Sequence, residues 1–146
     1  MNLSEQHEPF GVLVLSVVKH DYVARGVASH PRFRLTVVAD DADQPEWIHE
    51  RNEEFARVHD IPYIRDVERA IAEHNVQVAV VSPEAERHCD LSVRAADAGL
   101  HVIQDKPMSN SLSECDRVVA AVTRNNVKFL MIRSTSSQII LSLIHI

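Results

Sequence analysis

Apolar, β-branched segments that alternate with amphipathic ones are the strongest constraint on how this chain folds. Val12–Val18 and Val76–Val81 are rich in valine and leucine, the pattern of strands that are covered on both faces. Segments between such strands place apolar residues at helical spacing. In a chain of 146 residues this alternation predicts a single α/β domain, built on a doubly wound, mainly parallel sheet of about six strands with flanking helices.

The predicted elements fill residues 11–132 as a Rossmann-like domain, after an N-terminal tail of residues 1–10. The predicted strands are Val12–Val18, Phe33–Ala39, Ile61–Ile64, Val76–Val81, His101–Ile103 and Val127–Ile132. The predicted helices are Tyr22–Ala28, Pro45–His59, Val67–His74, Glu84–Ala98 and Ser111–Arg124. Asp66 and Ser111 are typical N-caps, and Gly99 is a typical C-cap.

The charge and the cysteines exclude several functional classes. A formal net charge of −6 gives no basic surface for nucleic acid or for an anionic membrane. No apolar run reaches the roughly 18 residues of a membrane span, and the N-terminus does not resemble a secretory signal. Cys89 and Cys115 are expected to be reduced thiols of a cytoplasmic protein. The histidines and cysteines lack metal-ligand spacing, so we expect no metal site.

Ligands of doubly wound sheets bind at the carboxyl ends of the strands, so the residues there are the candidates for function. The first strand runs into Ser16, Val18, Lys19 and His20, where a dinucleotide-binding fold usually carries a G-x-G-x-x-G turn. The three glycines of the chain lie elsewhere. Lys19 and His20 are either donors to a phosphate or solvated turn residues.

Asp40 follows the second strand, near the position of the carboxylate that binds an adenine-side ribose. An acidic residue there favours NAD over NADP, and the alternative is a loop or capping aspartate. Ser82 follows the fourth strand. His88, one turn further on, is either a cofactor contact or a residue partly buried on a helix face.

Asp105, Lys106 and Pro107 follow the fifth strand. A lysine at this edge faces the predicted cleft, where it is suited to donate a proton or to anchor a substrate oxygen. Pro107 would hold the backbone beside it in a fixed turn. The alternative for Lys106 is an exposed loop lysine.

These segments, above all Ala98–Pro107, resemble the N-terminal domain of the Gfo/Idh/MocA oxidoreductases over about residues 11–132. The hallmark of that family is an E-K-P segment after A-G-K-H-V; here Asp105 stands for the glutamate and Leu100 for the lysine. The resemblance implies that Lys106 contacts both the substrate and the nicotinamide.

The resemblance also implies the rest of the site and the reaction. Asp40 would bind the ribose, while Ser82 and His88 would line the cofactor side. The implied reaction is NAD(P)-dependent hydride transfer on a sugar, an inositol or a related polyol. A homo-oligomeric full-length enzyme is compatible with it.

Two departures from the family qualify these expectations. Ser16 and Val18 replace glycines, so the fragment is expected to bind NAD weakly or not at all. Family members also carry a second, substrate-binding domain with an acid–base histidine, which is missing here, so we expect little turnover. Leu141–Ile146 resembles a translated transposon-end adapter of sequencing libraries, which marks residues 133–146 as an aberrant or artefactual tail of a truncated fragment.

Two other functions compete with an oxidoreductase half. One is a non-catalytic Rossmann-like binding module that has lost its cofactor. The other is a phospho-acceptor signalling domain, which also combines aspartates, a Ser/Thr and a Lys-Pro pair at strand ends. Spacing disfavours the latter, because the paired Asp40 and Asp41 follow the second strand.

Overall fold

A computed structural model of the chain describes residues 8–132. The tail predicted at residues 133–146 and most of the N-terminal tail lie outside the described residues. The strands are β1 (Phe10–Leu15), β2 (Phe33–Ala39), β3 (Tyr63–Ile64), β4 (Val78–Val81), β5 (His101–Asp105) and β6 (Phe129–Ile132). The helices are α1 (Tyr22–Ala28), α2 (Glu46–Val58), α3 (Val67–Glu73), α4 (His88–Asp97) and α5 (Leu112–Arg124).

The six strands form one parallel sheet in the order β3-β2-β1-β4-β5-β6, which confirms the predicted fold class. Because strand order reverses beside β1, a crevice opens between the carboxyl ends of β1 and β4. No helix within residues 8–132 is long and apolar enough to cross a membrane.

Two apolar layers cover the sheet. Alternate residues of β1 point to opposite faces, so Val12 and Val14 pack with α1 and α2, whereas Leu13 and Leu15 pack with α3, α4 and α5. All four side chains are fully buried. Burial on both faces explains why these strands are apolar without alternation.

The ends of several elements differ from the predicted ones. β3, β4 and β6 each begin two residues later than predicted. β1 stops at Leu15 because Ser16 takes a left-handed conformation (φ 65°), and Val17 is buried within the turn rather than in a strand. β5 extends to Asp105, because the side chains of Gln104 and Asp105 form hydrogen bonds inside the fold. The helix predicted from Glu84 begins at His88, after a single 3₁₀ turn at Ala85–Arg87.

Hydrogen bonds confirm the predicted helix caps. The Asp66 carboxylate accepts a hydrogen bond from the Arg69 N–H, and the Ser111 hydroxyl accepts one from the Glu114 N–H. Gly99 ends the α4 segment with a φ of 81°, a conformation that favours glycine. The capping residues therefore set where α3, α4 and α5 begin or end.

Candidate functional site

The crevice between β1 and β4 begins with two buried serines. Leu15 pairs with Val81, and Ser16 and Ser82 follow these paired residues directly. Both side chains are fully buried. Ser16 keeps the left-handed backbone that the first glycine of a dinucleotide-binding turn would adopt. The Ser82 hydroxyl has no hydrogen-bond partner among the described residues. A buried polar atom left unpaired costs about 1–3 kcal/mol, which makes Ser82 a candidate ligand contact.

Asp40, at the end of β2, has its carboxylate bound by Arg87 from the 3₁₀ turn after β4. Arg87 Nη1 lies 2.5 Å from Asp40 Oδ1, and Nη2 lies 3.4 Å from Oδ2. Nη2 also lies 3.5 Å from the Ser16 hydroxyl. The Arg87 side chain therefore spans the crevice from β4 to the ends of β1 and β2.

Asn52 of α2 closes the same network from the other side. Its side-chain amide donates to Asp40 Oδ2 at 3.0 Å, while its Oδ1 accepts a hydrogen bond from the Val17 N–H at 2.9 Å. In a dinucleotide-binding turn, backbone amides at this place face the pyrophosphate. Here the Val17 N–H already donates to Asn52, so it does not face a pyrophosphate.

Glu84 holds the other side of the Arg87 guanidinium. Its carboxylate accepts hydrogen bonds from Arg87 Nε at 2.6 Å and from Nη2 at 3.0 Å. Burial alone would raise the pKa of Glu84, but the hydrogen bonds from Arg87 outweigh it and the pKa is lowered. Burial likewise opposes the charge of Arg87, yet bonds to Glu84 and Asp40 leave its pKa raised. Arg87 is thus a fixed cation between two carboxylates.

Asp105, at the end of β5, is bound by a tyrosine from the opposite side of the crevice. The Tyr22 hydroxyl donates to Asp105 Oδ1 at 2.6 Å, and the Lys106 N–H donates to the same oxygen at 2.8 Å. Burial, together with the hydrogen bond to Asp105, raises the pKa of Tyr22 to about 12. Asp105 is almost fully buried, so it positions the backbone at Lys106 rather than facing solvent.

His88 and Gln104 also hold the loop after β5, through the carbonyl oxygen of Pro107. His88 Nδ1 lies 2.6 Å from the Pro107 carbonyl oxygen, and Nε2 lies 3.1 Å from that of Pro83. The Gln104 amide donates to the Pro107 carbonyl oxygen at 2.9 Å. The Lys106–Pro107 bond is cis. Lys106 is exposed at the edge of this rigid loop.

Lys19 and His20 line an open groove of about 790 Å³ between α1 and α2, which also includes Val17 and Tyr22 of the site. Lys19 is exposed and His20 is partly buried. Val18 is buried in the turn.

The structure joins the predicted residues in two groups. Ser16 meets Asp40 through Arg87, and His88 meets Pro107 next to Lys106. Sequence reasoning missed five partners in these groups: Tyr22, Asn52, Glu84, Arg87 and Gln104. Two of them carried a signal, since Asn52 lies on the apolar stripe of α2 and Gln104 interrupts an apolar strand. Arg87 carried none.

Comparison with known proteins identifies the family. Residues 17–133 match the model of the Gfo/Idh/MocA oxidoreductase family, NAD-binding Rossmann fold. An inositol 2-dehydrogenase from Salmonella typhimurium is 28% identical over 67 residues, which are 46% of this chain and 20% of that protein.

Solved structures show the same fold. The WlbA dehydrogenase from Chromobacterium violaceum, in complex with NADH and UDP-GlcNAcA, superposes with a TM-score of 0.75 at 14% identity, over 87% of this chain and 36% of that one. GenD2 from gentamicin A biosynthesis, in complex with NAD, gives 0.74 at 22% identity, over 90% and 36%. The chain therefore covers about a third of the length of these two structures.

The family model covers most of the described domain, from Val17 in the turn after β1 through the Asp40 strand end and the loop that carries Lys106. The chain belongs to the Gfo/Idh/MocA oxidoreductase family, of which it contains the NAD-binding Rossmann domain.

Proposed function

We propose that this domain is the dinucleotide-binding half of an NAD-dependent oxidoreductase that acts on a sugar, an inositol or a related polyol. The observation that carries the proposal is the buried Ser82 hydroxyl, which has no hydrogen-bond partner within residues 8–132 and lies at the point where strand order reverses. The match to an inositol 2-dehydrogenase and the fold shared with a UDP-sugar dehydrogenase support the substrate class.

The residues of the crevice fit a dinucleotide with two obstacles. Ser16 has the required left-handed turn, Ser82 offers a hydroxyl, and Asp40 stands where a ribose carboxylate is needed. One obstacle is Arg87, which already binds Asp40, and the other is Asn52, which already binds the Val17 N–H. An NAD ribose would have to replace Arg87 as the partner of Asp40.

The residues at the end of β5 suit hydride-transfer chemistry. Bound NAD⁺ would supply the nicotinamide ring that accepts a hydride from a carbinol carbon. Lys106, as an exposed ammonium on the loop after β5, would bind the carbinol oxygen and stabilise the negative charge that develops there. The hydroxyl proton would pass to a base of the second domain proposed below. Asp105, His88 and Gln104 would keep Lys106 in place through the loop backbone.

We propose that a second domain completes the reaction in the full-length enzyme. Hydride transfer requires substrate and cofactor to be held together away from water, and one open crevice does not achieve this. The chain by itself should therefore bind dinucleotide without turning over a polyol. Free thiols at Cys89 and Cys115 are consistent with a cytoplasmic location.

Titration of the chain with NADH, followed by the fluorescence of its nicotinamide ring, tests the proposal. We expect weak, saturable binding that NAD⁺ displaces, and we expect Ser82→Ala to weaken it several-fold. Ser113→Ala, on the exposed face of α5, is the matched control and should leave binding unchanged. Equal affinity of the Ser82→Ala variant and the unaltered chain would remove Ser82 from the site.

A binding module without cofactor is the second candidate function. The observation in its favour is that Asp40 and the Val17 amide already have protein partners. It predicts that neither NADH nor NAD⁺ binds, even at millimolar concentration and even after Arg87 is replaced.

A further inference from the structure

The Arg87 bridge, defined here as Arg87 with its partners Asp40, Glu84 and Ser16, occupies the polar groups that a bound adenosine would use. Arg87 meets both oxygens of Asp40 and approaches the Ser16 hydroxyl. Asp40 is fully buried, and the Arg87 side chain is only 16% exposed. The contact is therefore part of the packed crevice and differs from a surface ion pair.

We propose that Arg87 is the residue that sets the dinucleotide affinity of this domain, by occupying the adenosine-ribose position until a ligand displaces it from Asp40. The inference rests on the proposed function. It places one determinant of dinucleotide affinity in the loop after β4. The glycine pattern of the turn after β1 does not reveal this determinant.

The geometry shows how Arg87 would be displaced. Glu84 holds Arg87 through Nε and Nη2, whereas Asp40 is held mainly through Nη1. The guanidinium can therefore turn away from Asp40 while it keeps its pairing with Glu84. The Asn52 amide continues to donate to Asp40, so the buried carboxylate is never without a partner.

The bridge lowers apparent affinity because only the displaced state accepts a ribose. When a binding-competent state is a small fraction of the molecules, the apparent dissociation constant increases by the inverse of that fraction.

The test compares NADH binding by the unaltered chain and by Arg87→Gln, Arg87→Lys and the control Arg124→Gln. Arg124, at the end of α5, pairs with Asp97, at the end of α4. This pair lies at the opposite edge of the sheet. We expect Arg87→Gln to bind NADH at least about tenfold more tightly than the unaltered chain, the value of one charge-assisted hydrogen bond. Arg87→Lys should be intermediate, and Arg124→Gln should match the unaltered chain.

Partial ligands locate the effect. ADP-ribose contains the adenosine ribose and should show the same gain in Arg87→Gln, whereas reduced nicotinamide mononucleotide lacks that ribose and should show none. Circular dichroism checks that each variant is folded. Arg87→Lys keeps a cation beside the buried Asp40, so it provides the comparison if Arg87→Gln does not fold.

The outcomes separate the two proposals. Equal NADH affinity of the unaltered chain and the folded Arg87 variants would overturn the role of Arg87 and leave dinucleotide binding intact. A gain for reduced nicotinamide mononucleotide equal to that for ADP-ribose would also overturn it. If neither the unaltered chain nor any variant binds NADH, dinucleotide binding itself is refuted.

Discussion

Replacement of Tyr22 by phenylalanine tests how the end of β5 is held. The Tyr22 hydroxyl donates to Asp105 Oδ1 at 2.6 Å, and this bond ties the start of α1 to the loop that carries Lys106. Asp105 is 1% exposed, so water does not readily replace the lost donor. The Lys106 N–H remains bonded to the same oxygen. The substitution thus removes one of two donors from a buried carboxylate.

We expect Tyr22→Phe to lower the free energy of unfolding by about 2 kcal/mol, the midrange for a hydrogen bond to a charged group. For a domain of this size that corresponds to a decrease in Tm of about 6–10 °C. Urea denaturation followed by circular dichroism measures the change. Asp105→Asn and the double variant complete a thermodynamic cycle, in which we expect a coupling energy of about 1 kcal/mol.

The pH dependence gives a second measurement. The pKa of Tyr22 is raised from 10.0 to about 12, so the folded state favours the neutral hydroxyl. The stability that this hydroxyl contributes is fully present below pH 10 and is lost as pH rises from about 10 to 12. The difference between the unaltered chain and Tyr22→Phe should therefore be constant from neutral pH to pH 10 and shrink above it. A loss below about 0.5 kcal/mol at neutral pH, with no coupling in the cycle, would refute the reasoning.

Four further substitutions test single residues, each by urea denaturation. Gly11→Ala should lower the free energy of unfolding by about 3 kcal/mol, because the added methyl group would lie 2.0 Å from a backbone oxygen. Gly99→Ala should lower it by only about 1 kcal/mol, since a positive φ is strained for alanine but the space around it is open. Ser16→Gly should increase stability by up to about 1 kcal/mol by relieving a left-handed serine, and a decrease would show that the hydroxyl matters more than the backbone. Arg94→Gln should cost about 1 kcal/mol at neutral pH. Arg94 lowers the pKa of Asp41 below its usual 3.8 by hydrogen bonding, so this cost should shrink as pH falls below about 4, and a constant cost would contradict that coupling.

The fold was predictable because its determinants are local in sequence. Strands buried on both faces produce continuous apolar runs, and helix ends carry capping residues such as Asp66 and Ser111. The errors lay at element ends, where the determinant is tertiary. Val17 has the composition of a strand residue but lies in a turn, where Asn52 binds its amide.

The positions of the candidate residues at the strand ends were predictable, but their hydrogen-bond partners were not. Parallel strands bring their carboxyl ends to one edge of the sheet, so the order of the strands along the chain is enough to indicate Ser16, Asp40, Ser82 and Lys106. The pairing of Asp40 with Arg87 joins residues 47 apart and has no periodic signal in the sequence. An arginine in a charged loop segment is usually solvated, whereas this one is held inward by the distant Asp40 as well as by Glu84, three residues before it.

The glycine-free turn after β1 separates two roles that one motif usually combines. Ser16 retains the left-handed backbone, so the path of the chain into α1 does not depend on glycine. Access of backbone amides to a phosphate is a different property, and here Asn52 and the buried Val18 limit it. The crevice therefore satisfies most of its own hydrogen bonds when no ligand is bound, through Asn52 and Arg87. Under the proposed function, dinucleotide affinity is the difference between the bonds that a ligand makes and these internal bonds. We expect Arg87 to set the larger share, because its bond to Asp40 joins two charges.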